Sequence, residues 1–292
     1  SDGKNINIIR DAVVFYRPNN RWNFGFGQTK LPGNRQRINS SGALQFTDRS
    51  INNARFNIDR DFGLQVHQSN LFYNSFSISF KGAVSMGEGR NWTQNADKNL
   101  AYTGKVEIYP LGAFTRNGDM FEGDLMRERK PKILISGAYH QNNGSKRTQG
   151  QTGDELYTPK TTQSILLDGV FKYNGWALMS AYMKRMARNP LSFDPTGSGA
   201  MRYVFAGEGM DFQGSYIFKN NYELLGRYSF QQVHQDIHPY TPHTQQLSAG
   251  VTKYIWEHAF KLQGELTYEL QDYLGNQDKQ NWYIRFQVEM GI

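Results

Sequence analysis

Residues 31–58 hold the densest set of side chains that could do chemistry. Arg35, Arg37, Arg49 and Arg55, with Arg60 just beyond, face only Asp48 and Asp59 along the chain. A guanidinium stays charged at any relevant pH, and its planar fork of donors matches phosphate or carboxylate bidentately. The group therefore points to an anion. Asp48 beside Arg49, and Asp59 and Asp61 around Arg60, leave an ion-paired reading open for those two arginines. Arg35 and Arg37 have no adjacent acid and are the better ligand candidates.

Other clusters carry less. HQDIHPYTPH places His234, His238 and His243 on one stretch, but its two prolines fix no regular element, so incidental exposure is expected and no metal is assigned. Asp119, Glu122 and Asp124 lack the ligand spacing and closing Glu of a calcium loop. GEGRN has no Lys-Ser ending of a phosphate loop, and GSGAM is not a nucleophile elbow. The absence of cysteine removes disulfides, thiolate ligands and thiol nucleophiles together. No catalytic residue and no cofactor are assigned, and an enzyme is not expected.

What must position the arginines is a set of strands. FKLQGELTYEL, residues 260–270, alternates Phe260, Leu262, Leu266, Tyr268 and Leu270 with Lys261, Gln263, Glu265, Thr267 and Glu269. Side chains of a strand point alternately to opposite faces, so one face is apolar and the other polar over a length beyond the usual globular strand. Only 38% of the 292 residues are hydrophobic and the mean hydropathy is -0.68, and no apolar run could form a transmembrane helix. Aromatics nevertheless reach 14%. A transmembrane antiparallel β-barrel reconciles these values, because half of each strand faces lipid and half a wet lumen.

The same ruler finds strands at 6–17, 21–29, 61–67, 72–85, 100–108, 132–140, 165–173, 176–186, 210–218, 222–230, 246–255, 260–270 and 282–292, about 13 in all. The facing is unsettled at 6–17, where Ile6, Ile8, Ile9, Val13, Val14, Phe15 and Tyr16 fall on both sides, and at 132–140, 176–186 and 246–255. Short turns near Asn19, Ser69-Asn70, Asn174-Gly175, Asn220 and Glu257 alternate with long polar loops at 31–58, 86–98, 141–163, 188–206, 232–245 and 271–280. That asymmetry separates a periplasmic rim from an extracellular one and disfavours a soluble sandwich. The connection 110–130 breaks the rule by its length on the short-turn side, and its GDLMRERK is expected to hold a helical turn. The formal charge of +7, with pI near 9.4, comes from scattered residues, so nucleic acid is not an expected partner. Ser1 to Lys4 reads as loop with no signal peptide ahead of it, as in a mature or trimmed form.

Four ordered elements carry a family resemblance: Arg10-Asp11-Ala12, Gly27-Gln28-Thr29-Lys30-Leu31-Pro32, Asp48-Arg49-Ser50 and Arg60-Asp61-Phe62-Gly63. In order and spacing they resemble the phosphate-selective porin O and P family, and LPGNR, SMGEGRN and GDLMRERKPK look like its Bacteroidetes branch. The resemblance implies an outer-membrane porin of about 16 strands, often a homotrimer, with strands preceding this chain. It also implies that 31–58 folds inward as the constriction loop, with Arg35, Arg37, Arg49, Arg55 and Arg60 at the narrowing. The final strand resembles a barrel assembly signal, although it ends in Ile292 where Phe is usual.

Alternation assigns Lys81, Lys105, Lys172, Arg227, Lys261 and Arg285 to the lumen, beside Glu107, Asp168, Asp211, Glu223, Glu265 and Glu289. Cross-strand ion pairs are the plain reading of that mixture. It lacks the dense cationic ladder of a strongly phosphate-selective pore. The expectation is a single domain over 1–292 in the bacterial outer membrane that passes small anionic or hydrophilic solutes by diffusion. The alternative is a structural barrel in a larger membrane assembly, with little conductance.

Overall fold

The computed structural model describes residues 9–73, 75–91, 99–275 and 277–291. Ile6, Ile8 and Ile292 lie outside them, as does the side chain of Phe72. Thirteen strands form one antiparallel sheet: β1 (Ala12–Tyr16), β2 (Trp22–Lys30), β3 (Arg60–Tyr73), β4 (Phe76–Ser85), β5 (Ala101–Tyr109), β6 (Lys132–Arg147), β7 (Glu155–Tyr173), β8 (Trp176–Ala187), then β11 (Gly207–Ile217), β12 (Tyr222–Val233), β13 (His243–Trp256), β14 (Phe260–Asp272) and β15 (Lys279–Met290). Each pairs with its successor, in an up-and-down meander whose ends are β1 and β15. Between β8 and β11, β9 (Leu191–Phe193) and β10 (Met201–Tyr203) pair only with each other. All thirteen alternating segments of the sequence are wall strands. The short hairpin is new, because three residues carry too little alternation to be seen.

Burial is inverted relative to a soluble protein. Leu64, Ile135, Leu178, Leu224, Leu247 and Ile284 stand exposed on the outer face, whereas Lys261, Glu223 and Thr252 on the inner face are 0% exposed. A wall with oil outside and polar groups shut inside suits lipid, not water.

Short turns at 17–21, 174–175, 218–221 and 257–259 share one rim with the longer 110–131. Three details depart from the sequence reading. No turn forms at the expected Ser69-Asn70, because β3 runs through it to Tyr73. The loop expected over 141–163 shrinks to 148–154, because β6 and β7 continue as a hairpin with polar residues on both faces. Where a hairpin has polar neighbours on both sides, no apolar face is selected and the two-residue pattern vanishes. The helical turn of 110–131 lies at 115–120 rather than in GDLMRERK, and it is interrupted by the left-handed Arg116 and Asn117.

The connection 31–59 turns inward and docks on the inner wall. It contains α1 (Arg35–Ile38) and α2 (Ile51–Phe56). Ser50 caps α2 by accepting from the Asn53 amide at 3.1 Å, and its hydroxyl donates to Asp211 on β11 at 2.7 Å. The neighbouring wall position is Gly209, where an added Cβ would sit 2.0 Å from the Asn52 amide oxygen, so this helix can approach only a bare backbone. Phe56 then enters an apolar cluster inside the wall with Leu31, Ile58, Leu166, Met183, Phe205 and Ile237. The lumen expected to be wet is therefore dry at this level.

Phe56→Ala is expected to cost about 3–5 kcal/mol of local stability by leaving a cavity in that cluster. Hydrogen exchange should then accelerate across 51–58 while amides of the β-wall keep their protection.

Candidate functional site

The inward connection is held by the wall's own polar side chains. Lys261 on β14 donates to the carbonyl of Gly42 at 2.9 Å and to that of Leu44. Gln263 donates to the carbonyls of Leu44, Gln45 and Phe46 at 3.2, 2.7 and 3.0 Å. Arg227 on β12 donates to the Asp48 carbonyl at 3.1 Å and lies 4.5 Å over the Phe46 ring. Lys105 on β5 donates to the Gly33 carbonyl at 2.8 Å and pairs with Glu107 at 3.1 Å, as does Lys81 at 2.7 Å. These residues face the lumen as alternation requires, but most end on backbone carbonyls rather than in open water. Arg285, 45% exposed, reaches Asp48 at 3.6 Å and Glu265 at 3.5 Å.

The acidic residues of the wall act in the same way with opposite sign. Asp168 accepts from the Arg35 amide at 3.0 Å, Glu265 from the Thr47 amide at 3.1 Å, and Glu223 from Tyr254 at 2.6 Å. Sequence reasoning did not assign Arg185, which lies on a strand of unsettled facing. It is 1% exposed and donates to the carbonyls of Arg55 and Asn57 at 2.8 and 2.7 Å.

From the short-turn rim, 110–131 reaches up to meet this connection inside the wall. Arg35 donates through Nε to the Asp119 carbonyl at 2.8 Å and through Nη2 to that of Phe121. Glu122, 2% exposed, accepts from Gln36, from the Gln45 amide and from Gln213 at 3.0, 2.9 and 3.1 Å. Its own amide donates to the Ala43 carbonyl at 2.9 Å. Below them Lys172 donates to the carbonyls of Gly118, Phe121 and Glu122 at 2.7, 3.0 and 2.9 Å, and to that of Gly123. Asp124 anchors the base by accepting from the Glu128 and Gly175 amides. Burial raises its carboxyl above the ordinary range against the pull of those amides. Of the three acids that fail as a calcium loop, Glu122 thus fastens the two insertions together, while Asp119 accepts from Tyr109 of β5 at 3.1 Å.

The remaining arginines gather on the other flank, facing β1 to β3. Arg37 forms a two-pronged pair with Asp59, Nε lying 2.9 Å from Oδ1. Burial opposes the Asp59 charge, but the Arg37 fork outweighs it and holds the carboxyl below its ordinary range. Arg60 pairs bidentately with Asp11 at 3.0 and 2.9 Å and approaches Asp59 at 3.5 Å. Arg90 lies 4.0 Å from Asp59. Arg49 does not turn its guanidinium to Asp48; it donates to the carbonyls of Gln36 and Asn39 at 2.8 and 3.1 Å. Lys30 donates to that same Asn39 carbonyl at 3.3 Å and to that of Ile38 at 2.7 Å. Arg37, Arg49, Arg60, Arg90 and Lys30 thus surround two carboxylates, and all five are partly open to solvent. Such an arrangement can hold a small anion through donors the carboxylates leave unused.

Arg35 and Arg55 are not in this group. Arg35 is spent on the carbonyls of 110–131, and Arg55 lies 5.1 Å over the Phe205 ring near the long-loop rim. Lys30 and Arg90 were not singled out in the sequence, although both stand in stretches that carry the family resemblance, GQTKLP and SMGEGRN.

Among solved structures, the chain is similar to the loop-L8 deletion mutant of OmpT, an outer-membrane protein of Vibrio cholerae. The two are 13% identical, with a TM-score of 0.51 over 94% of this chain and 78% of the other. It is similar also to the outer-membrane channel DcaP of Acinetobacter baumannii, 12% identical, with a TM-score of 0.50 and the same shares covered. This chain has the fold of an outer-membrane β-barrel wall. No family model matches it, and no curated protein matches it by sequence.

Lys172→Met would leave buried carbonyls of 118–123 without donors, each costing about 1–3 kcal/mol. Hydrogen exchange is expected to rise in both 115–124 and 35–45 of the barrel; acceleration of 115–124 alone would show that the two insertions are not coupled. The Arg37–Asp59 pair adds a pH dependence. A carboxyl whose folded value is depressed contributes its full stabilisation above the unfolded value, about 4, and loses it as pH falls through the folded one. Docking of 35–39 should accordingly hold at neutral pH and loosen on acidification below pH ~4, an effect that Asp59→Asn removes.

Proposed function

We propose that the barrel is a porin through which small hydrophilic anions, phosphate-like in charge and size, diffuse passively past the flank of the 31–59 connection. The observation that carries this reading is the group Lys30, Arg37, Arg49, Arg60 and Arg90 around Asp11 and Asp59, five cations against two carboxylates. In a narrow passage such an excess attracts anions. Donors already engaged with carbonyls and carboxylates keep binding weak enough for release. The path runs eccentrically, because the opposite flank of the connection is sealed to β11–β14 by Arg227, Lys261 and Gln263. Arg285, 3.6 Å from Asp48, makes its far border.

The resemblance of Arg10-Asp11-Ala12, GQTKLP, Asp48-Arg49-Ser50 and Arg60-Asp61-Phe62-Gly63 to phosphate-selective porins O and P supports the same function. It is supported further by where those elements lie: Lys30, Arg49 and Arg60 are three of the five cations, and Asp11 is one of the two carboxylates. DcaP is described as an outer-membrane channel, which agrees with passive conduction without chemistry. The reading extends to a homotrimer, the assembly that the resemblance implies.

A second reading rests on the meeting of 31–59 with 110–131 inside the wall. Two insertions from opposite rims narrow the lumen more than one would, as a structural barrel of a larger assembly with little conductance requires.

Planar-bilayer recordings in asymmetric salt separate the two. The first reading expects a reversal potential on the anion side that moves toward zero in Arg49→Ala and further in Arg49→Ala/Lys30→Ala, with single-channel conductance changed less than twofold. A folded barrel without steps in conductance would establish the second reading, and cation selectivity in the unmodified protein would remove the first.

A further inference from the structure

The short-turn rim carries a charge that the pore does not use. Arg127, Arg129, Lys130, Lys132, Lys219 and Lys253 lie at or beside its connections. Among the described residues, the one exposed carboxylate in those connections is Glu257, which lies 3.9 Å from Arg116. The acids Glu122, Asp124 and Glu128 are buried and turned inward. The opposite rim is mixed instead, with Asp154, Asp236 and Asp278 exposed in its loops. Cationic excess is thus a property of one end of the barrel, the end whose short turns place it in the periplasm.

The cations converge on the turn 218–221 between β11 and β12. Arg127 donates to the carbonyl of Ile217 at 2.7 Å and to that of Phe218, which fixes its guanidinium against the turn and leaves other donors free. Lys253 donates to the Asn220 carbonyl at 2.6 Å and lies 4.2 Å over the Tyr222 ring. Lys219 is exposed within the same turn. Among the described residues, no carboxylate lies within ion-pair distance of any of the three. Three cations held together without a counterion make a site for an anion brought from outside.

The side of the wall on which they stand selects the kind of anion. Lys253 pairs opposite Tyr222 and shares its face with Leu224 and Val251, both exposed on the outer, lipid-facing surface. Phe218 is exposed at the turn, and around it stand Tyr222, Trp176 and Trp256, the amphipathic rings that settle at headgroup depth. A ligand here meets phosphate-binding cations at the rim and an apolar wall immediately above them. We propose that the turn 218–221, with Arg127, Lys219 and Lys253, binds the phosphate of an anionic phospholipid in the periplasmic-side leaflet, its acyl chains lying along Leu224 and Val251. A soluble acidic peptide fits less well, because Tyr222 and Lys253 face lipid rather than the mouth.

The test is lipid retention on the purified, folded barrel by native mass spectrometry, with phosphatidylglycerol and phosphatidylcholine titrated in parallel. The barrel is expected to retain phosphatidylglycerol about tenfold better, and Lys219→Ala/Lys253→Ala to lose that preference, as for two cations near an anionic surface. Lys184→Ala, on the same outer wall near the opposite rim, should behave as the unmodified protein. Equal retention of the two lipids would overturn the proposal, as would full retention in the double variant or displacement of the lipid by millimolar inorganic phosphate. Should the double variant fail to fold, judged by heat-modifiable electrophoretic migration, a salt titration of the unmodified barrel decides. Retention of phosphatidylglycerol must fall as ionic strength rises, and indifference to salt would sink the idea.

Discussion

The structure depends on one constraint: charged and amide side chains that point into a narrow, partly dry lumen must end on something other than bulk water. An unpartnered buried charge is far more costly than the strand pairing around it can offset, so each needs a partner within a few ångströms. Here the partner is mostly backbone. Lys172, Lys261, Arg185, Gln263 and Arg227 all donate to carbonyls of inserted chain, while Asp168 and Glu265 accept from its amides. The wall supplies the side chains and the insertions supply the peptide groups. Neither is satisfied alone.

This exchange explains why the insertions need so little regular structure. The two helices of 31–59 are only four and six residues long, too short to be stable by themselves. They are held from outside: the side chains of Ser50 and Asn52 donate to Asp211 on β11, and Lys261 and Gln263 of β14 donate to the carbonyls of Gly42 and Gln45 in the chain between the helices. The apolar cluster around Phe56 then fixes one end of the connection, and Glu122 with Lys172 fixes the middle from the opposite rim. What stays unsealed is the flank with Arg37, Arg49 and Lys30. Its charges exceed the local carboxylates, and its position follows from where the sealing stops.

Charge therefore divides into three populations that composition merges into a single net value. Cations deep on the inner wall end on inserted backbone, those on the free flank stay partly open to solvent, and a third set gathers at the short-turn rim. Placement, not residue type, separates them: Lys172 and Arg185 are buried on carbonyls of inserted chain, Arg37 and Arg60 are partly open and forked to Asp59 and Asp11, and Arg127 and Lys253 reach carbonyls of the short-turn rim.

The sequence by itself determined the wall. Two-residue alternation marks most of the wall strands because an apolar outer face imposes it, and thirteen segments became thirteen strands. It also located the arginine-rich connection and most of the lumenal charges. It did not determine their partners: Arg35, which looked free, is spent on Asp119 and Phe121, and Lys30 and Arg90 joined a group from stretches not chosen for their charge. Facing is a local property, set by the parity of a residue along its own strand. Partnership is not, because Lys172 and Gly118, or Lys261 and Gly42, lie 54 and 219 residues apart and meet only when both insertions have folded back inside the wall.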